Sequence, residues 1–230
     1  MLLSNERDYR LAEEDVIAWL QSLPLDLRTI DAKVAAALRA EQLVRLNHLR
    51  QLAAQGKLPT ALAWIDDFLA SGEPLVVFAE HIAIQRALMD RFPHACHILG
   101  SDPGRSRQQA VDAFQREDGP QLIVCSIKAA SQGITLTRAS NVAFLELDWT
   151  PARHDQAEDR LHRIGQESAV TAWYLLAANT IDETMVTLLQ RKRALIDAVT
   201  DGQVRAEEPM IAAVVRELRG RPFRHLRVVA

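Results

Sequence analysis

Short, uninterrupted apolar runs set the strongest constraint on how this chain folds. They lie at 75–79 (LVVFA), 122–125 (LIVC), 142–147 (VAFLEL) and 170–176 (VTAWYLL). None keeps a strict polar–apolar alternation, so each reads as a strand buried on both faces of a parallel sheet. A weaker strand runs through 95–99. Helix-like segments fall between and after them, at about 80–92, 105–116, 153–164 and 182–199. Strands alternating with helices predict an α/β fold, an open parallel sheet flanked by helices. Such sheets bind ligands at the carboxyl ends of their strands, which directs attention to the loops after 79, 99, 126, 148 and 176.

The first 70 residues read differently. A helix over 7–22 is ended by Pro24. A second covers 30–55 and is closed by Gly56 as a C′ residue, and a third covers 59–70. The second carries a basic side of Arg39, Arg45, His48 and Arg50. The expected organisation is a helical segment over 1–70, a sheet domain over 71–180, a closing helix over 181–202 and a partly helical tail over 203–230. From the residues alone, these helices read as a cover for the sheet edge.

Composition narrows the partners. With 230 residues and 48% hydrophobic content the chain can bury a substantial core. Its formal charge of −3 means that any nucleic acid must be met by local basic patches. The two cysteines, Cys96 and Cys125, sit in apolar runs and read as small core residues of a reducing compartment. The start is charged at once, with no secretory apolar stretch, and no run approaches the roughly 20 residues of a membrane span. A cytoplasmic protein is expected, without a membrane partner and monomeric as an isolated domain. Abundant Ala, Leu and Arg with little Lys suggests a bacterial source.

Three segments at strand ends can carry chemistry. "SIKAASQGITLT" (126–137) leaves a strand with Ser126 and Lys128, then small residues, Gly133 and Thr135. It is either a phosphate-binding loop or an ordinary connection. "DWTPARH" (148–154) follows the next strand, with Pro151 near N1, Asp148 or Thr150 as cap, and Trp149 either packing or meeting a ligand. "QAEDRLHRIGQ" (156–166) then places Gln156, Arg160 and Arg163 within about 60° of one another on a helix, beside an apolar stripe of Ala157, Leu161 and Ile164. The arginines are either a solvated face or a pair aimed at a phosphate, which guanidinium fits bidentately.

Together these segments resemble the second RecA-like lobe of the SNF2 (Swi2/Snf2) family of superfamily 2 helicase-like ATPases. "QAEDRLHRIGQ" is similar to that family's motif VI almost letter for letter. "SIKAASQGITLTRASNVAFLELDWTP" resembles its motif V region with the strand and Trp-x-Pro turn that follow. "PLVVFAEH" resembles the motif IV strand, and "HILGSDPGRSRQQAVDAFQ" the Gly-Ser…Arg…Phe-Gln segment after it. "ANTIDETMVTLLQRKRALIDAVTDG" resembles the closing helix. The resemblance spans roughly 57–202 and leans toward the annealing-helicase-like (SMARCAL-type) branch. It implies a RecA-like fold, with the N-terminal helices as the family's protrusion, whose basic side over 39–50 would turn toward DNA; helices that only cover the sheet edge remain the alternative. It implies that Arg163 is the arginine finger toward the γ-phosphate of ATP and Arg160 its partner. It likewise places Gln156, Gly133 and Thr135 beside the nucleotide, and Ser126, Lys128, Trp149 and Ser101 at the DNA backbone. The family commonly has Asn at the position of Thr135 and a Gly-Gly pair where this chain has Ala130-Ser131.

No Gly-x-x-x-x-Gly-Lys-[Ser/Thr] occurs in the sequence, and no apolar strand ends in a Walker-B-like Asp-Glu pair. The expectation is therefore half an ATPase, a piece of a longer protein. ATP and Mg would be held mainly by an N-terminal RecA-like lobe of the same protein, and double-stranded or branched DNA would be the partner. A bacterial, nucleoid-associated location would follow. A non-catalytic RecA-like module that binds DNA or protein is the competing reading. A small-molecule α/β enzyme ranks last, for want of a nucleophile–base pair. No Cys/His spacing matches a metal site.

Overall fold

The computed structural model describes residues 1–24, 26–27, 31–130, 134–161, 169–198 and 209–221, without the side chains of 129–130 and 195–198. In chain order the elements are α1 (Glu6–Ser22), α2 (Ala32–Leu69), β1 (Leu75–Phe78), α3 (Ile82–Arg91), β2 (Cys96–Ile98), α4 (Gly104–Gln115), β3 (Leu122–Cys125), α5 (Ile127–Ala130), β4 (Asn141–Phe144), α6 (Pro151–Glu158), β5 (Thr171–Tyr174), α7 (Ile181–Ala198) and α8 (Met210–Arg219). They form two compact units. One holds residues 1–2 and 57–178, and the other holds 3–56 and 179–230.

The first unit contains a five-stranded sheet in the order β2-β3-β1-β4-β5, parallel throughout. The apolar runs of β1, β3 and β4 are buried at every position, as central strands must be. The run at 170–176 was expected to be buried on both faces. Instead β5 alternates exposed and half-buried residues, because it is an edge strand. Register stacks Phe78, Phe144 and Tyr174 on adjacent strands. Their rings lie 5.3 and 5.1 Å apart, an aromatic ladder just below the carboxyl ends.

Two local devices close the connections of this unit. Gly72, at φ +81°, ends α2 in the left-handed region that glycine tolerates. After α4, Arg138 donates to the carbonyls of Phe114 (2.7 Å), Pro120 (2.9 Å) and Glu117 (3.1 Å), and lies over the Phe114 ring. Lys57, only 1% exposed, gives its ammonium to the Leu175 carbonyl at 2.7 Å. Burial pushes both cysteine thiols up. Cys125 is a buried core residue, whereas Cys96 on the edge strand is half-buried, and both are free.

In the second unit α1 packs against α8, and α7 against α8. The buried Tyr9 hydroxyl accepts the Ile181 N–H (2.6 Å) at the start of α7 and donates to Glu13 (3.2 Å). Burial first, then the Glu13 charge, pushes Tyr9 well up, so the hydroxyl keeps the proton it donates. Arg221 and Arg10 close the network on Glu13 at 2.8 and 3.1 Å.

The break expected at Gly56 does not occur, since α2 runs through both Gly56 and Pro59. Proline removes one helical N–H without ending the ladder around it. Gly56 serves close approach instead. Its carbonyl accepts the Ser4 N–H (2.8 Å) and hydroxyl (3.0 Å), and a Cβ there would lie 1.9 Å from Asn5 Oδ1. Part of the basic side is also spent internally. Arg45 pairs with Asp15 and Glu41 and covers the Trp19 ring, and Arg50 is buried beside Asn47.

Candidate functional site at the strand ends

The candidate residues of "DWTPARH" and "QAEDR" are set by what happens at the end of β4. Asp148, 5% exposed, accepts the Thr150 N–H on Oδ1 (2.7 Å) and the Arg153 guanidinium on Oδ2 (2.9 Å). Pro151 opens α6, where its fixed φ suits the first turn. Thr150 is the N-cap without a side-chain capping bond, so Asp148 organises the turn from further upstream. The buried His154 ring lies tilted against Phe144, with centroids 4.9 Å apart, and stacks on Tyr174 at 6.0 Å, while its Nε2 accepts the Asp148 N–H at 3.0 Å. A ring accepting on Nε2 carries its proton on Nδ1 when neutral. His154 thus nails α6 to the aromatic ladder, a role no sequence motif announced.

The expected helix over 153–164 ends earlier. α6 stops at Glu158, and the next bonds are Arg160 N–H to Ala157 O (3.2 Å) and Leu161 N–H to Glu158 O (3.0 Å). These three-residue spacings tighten the turn toward 3₁₀ geometry, so the 100° wheel does not carry through to Arg160. Its apolar side holds: Ala157 and Leu161 are buried, while Gln156 is exposed and Arg160 half-buried. Arg163 and Ile164 lie outside the described residues.

The neighbouring segment is tied to this one. The Leu136 N–H donates to the Arg160 carbonyl at 2.9 Å, which sets the half-buried residue Thr135 beside Arg160. The single turn α5 packs against α6. Ser126 is buried with its N–H on the Ile98 carbonyl (3.0 Å), and Lys128 is exposed. Trp149 is half-buried in its turn. Ser101 is exposed on the separate loop after β2, where Arg107 and Asp102 bond Gly100 and Leu99. Gly133 lies outside the described residues. The structure therefore gathers Ser126, Lys128, Thr135, Trp149, Gln156 and Arg160 along the loops after β3 and β4, and keeps Ser101 on the loop after β2.

Between β1 and β4 lies a cluster that motif reading passed over. The chain leaves β1 toward one sheet edge and β4 toward the other, so the crevice between their ends is a topological switch point. Glu146, 3% exposed, sits there. Its Oε2 accepts the N–H groups of Glu80 (2.8 Å) and His81 (2.9 Å), and its Oε1 meets His81 Nδ1. Burial alone would push this carboxyl up, but the His81 ring and the two N–H groups outweigh it and hold it below the ordinary value. Glu80 in turn pairs with Lys128. The switch point therefore carries two carboxylates, each already matched, Glu146 by the His81 ring and two N–H groups and Glu80 by the Lys128 ammonium. The signal available in the sequence was Glu146 itself, a charge inside an apolar run that burial obliges to find donors.

Comparison with known proteins agrees with this architecture. The family described as the helicase conserved C-terminal domain matches residues 60–165. The chain is 39% identical over 132 residues to the mouse DNA annealing helicase and endonuclease ZRANB3, covering 56% of this chain and 12% of that protein. It is 31% identical over 179 residues to the Drosophila melanogaster SWI/SNF-related matrix-associated actin-dependent regulator of chromatin subfamily A-like protein 1, covering 76% and 23%. The chain thus spans under a quarter of the length of these curated relatives. In fold it is similar to the Sulfolobus solfataricus SWI2/SNF2 ATPase core domain, with a TM-score of 0.64 and 23% identity over 88% of this chain and 43% of that one. The C-terminal part of the Fun30 ATPase domain gives a TM-score of 0.56 and 20% identity over 95% and 76%. The sheet thus has the RecA-like fold of the SNF2 ATPase core structures it resembles, residues 60–165 match the helicase conserved C-terminal domain, and the chain is similar over that region to SNF2-family helicase-like proteins.

Proposed function

We propose that this chain works as the second motor lobe of a SNF2-type DNA-dependent ATPase and translocase, of the annealing-helicase-like branch. In this reading Arg163 is the finger and Arg160 its partner, both aimed at ATP held with Mg by an N-terminal RecA-like lobe. Gln156, Gly133 and Thr135 border the nucleotide, and Ser126, Lys128, Trp149 and Ser101 meet the DNA backbone. The observation that carries the reading is the tie between segments: the Leu136–Arg160 bond and the α5–α6 packing set the motif V and motif VI regions side by side. Only closure of the two lobes would complete the arginine site, and guanidinium there stabilises charge on the transferring phosphoryl group.

The test is DNA-stimulated ATP hydrolysis by the chain joined to its P-loop lobe. Arg163→Ala is expected to lower kcat by roughly 10³-fold or more, with duplex affinity in the absence of nucleotide unchanged. Turnover that ignores both DNA and the substitution sinks the motor reading. Duplex binding without any turnover favours the non-catalytic module instead.

A further inference from the structure

The Lys128 ammonium, assigned above to the DNA backbone, already holds a carboxylate. Its Nζ pairs with Glu80 Oε1, and the two partners are unequally placed: the lysine side chain is 63% exposed, the glutamate only 17%. Glu80 is fixed through its backbone, its N–H on Glu146 (2.8 Å) and its carbonyl accepting from Gln85 (3.2 Å). Its second oxygen, Oε2, is buried, and no donor among the described residues reaches it. The carboxylate is therefore the stationary member and the long lysine stem the movable one.

We infer that Glu80 is an internal competitor of DNA phosphate for Lys128, and that it sets how tightly the lobe grips DNA. The inference rests on the assignment of Lys128 to the DNA backbone. Binding a phosphate exchanges one anion for another on the same ammonium and leaves Glu80 short of its counter-charge. Part of the gain from each Lys128–phosphate contact is lost in that exchange.

Three substitutions separate this inference from the reading beneath it, with fluorescence anisotropy of a short labelled duplex measured across a salt series on the folded chain. Glu80→Gln is expected to tighten binding about two- to fivefold, the scale of a partly exposed ion pair. It should also steepen the slope of log affinity against log salt by up to about 0.9, since the lysine no longer trades one anion for another. Lys128→Gln is expected to weaken binding, and Glu80→Gln added to it is expected to change nothing further. If Lys128→Gln leaves affinity and slope unaltered, the DNA assignment of Lys128 fails and the inference fails with it. If Lys128→Gln weakens binding but Glu80→Gln does not tighten it, or tightens it equally without the lysine, the competitor role alone is overturned. Should Glu80→Gln not fold, Glu80→Asp draws the carboxylate back by one methylene, and the same comparison with Lys128→Gln decides.

Discussion

At Glu146 the cost of burying a carboxylate is met by three donors, the two N–H groups and the ring of the segment after β1. Glu146→Ala leaves all three facing an empty site, and each buried unsatisfied group costs roughly 1–3 kcal/mol. Urea unfolding is therefore expected to show a loss of about 3 kcal/mol or more, with Glu146→Gln losing less because one acceptor oxygen remains. The pH dependence follows from the direction of the shift. A carboxyl held below its ordinary value contributes fully above the unfolded value of about 4.3. That contribution disappears as pH falls through the lower folded value. The part of the stability gap between wild type and Glu146→Gln that comes from the carboxylate charge should thus close in acid. A gap undiminished in strong acid would rule out the carboxylate charge as its source. Glu146 could be noticed in the sequence as a charge in VAFLEL, but its partners could not, because they lie some 65 positions earlier and only strand register brings them together. His154 was hidden for the same reason: its ring acts through Phe144 and Tyr174, not through a motif.

At the scale of elements, periodicity located every strand, since unbroken apolar runs have few other uses. It misjudged the ends. Whether a strand is central or on an edge depends on sheet order, which is non-local, so β5 read as buried when only alternate positions are covered. The helix through Gly56 and the early end of α6 are cases where tertiary contacts and 3₁₀ tightening overrode local signals. The α4–β3 connection shows the same dependence in a form that can be tested. Its carbonyls at Phe114, Glu117 and Pro120 are collected by one guanidinium from a later part of the chain, and Gly119 must stay without a side chain because a Cβ would lie 2.1 Å from the Ala113 carbonyl. Arg138→Ala is expected to cost about 2 kcal/mol in thermal or urea unfolding, from charge-assisted bonds lost together. Arg138→Lys should recover little, because one ammonium cannot span three diverging acceptors. Full recovery by lysine would mean that the positive charge, not the fork, holds the turn.

For the whole molecule, the distribution of charge matters more than its sum. A net charge of −3 says little, yet Glu146 and Glu80 sit at the switch point between β1 and β4, tied to His81 and Lys128, while Arg160 stands on the connection after β4. One sheet therefore separates two tasks: the crevice is spent on holding β1 and β4 together, and the rim is left for partners. That separation makes a prediction about the chain by itself. Titrated with MgATP in a calorimeter, it should give no saturable heat at micromolar to low-millimolar nucleotide, because the sequence carries no Gly-x-x-x-x-Gly-Lys-[Ser/Thr] loop to cradle a triphosphate. Titrated with a short duplex at low salt, the same preparation should bind, with affinity falling steeply as salt rises. The two titrations test different parts of the argument. Saturable ATP binding would show that the strand ends form a nucleotide site without that loop, and the assignment of ATP to another lobe would fall. Absent duplex binding would instead remove the DNA contacts from the rim while leaving the arginine assignment to be judged by turnover in the presence of a P-loop lobe.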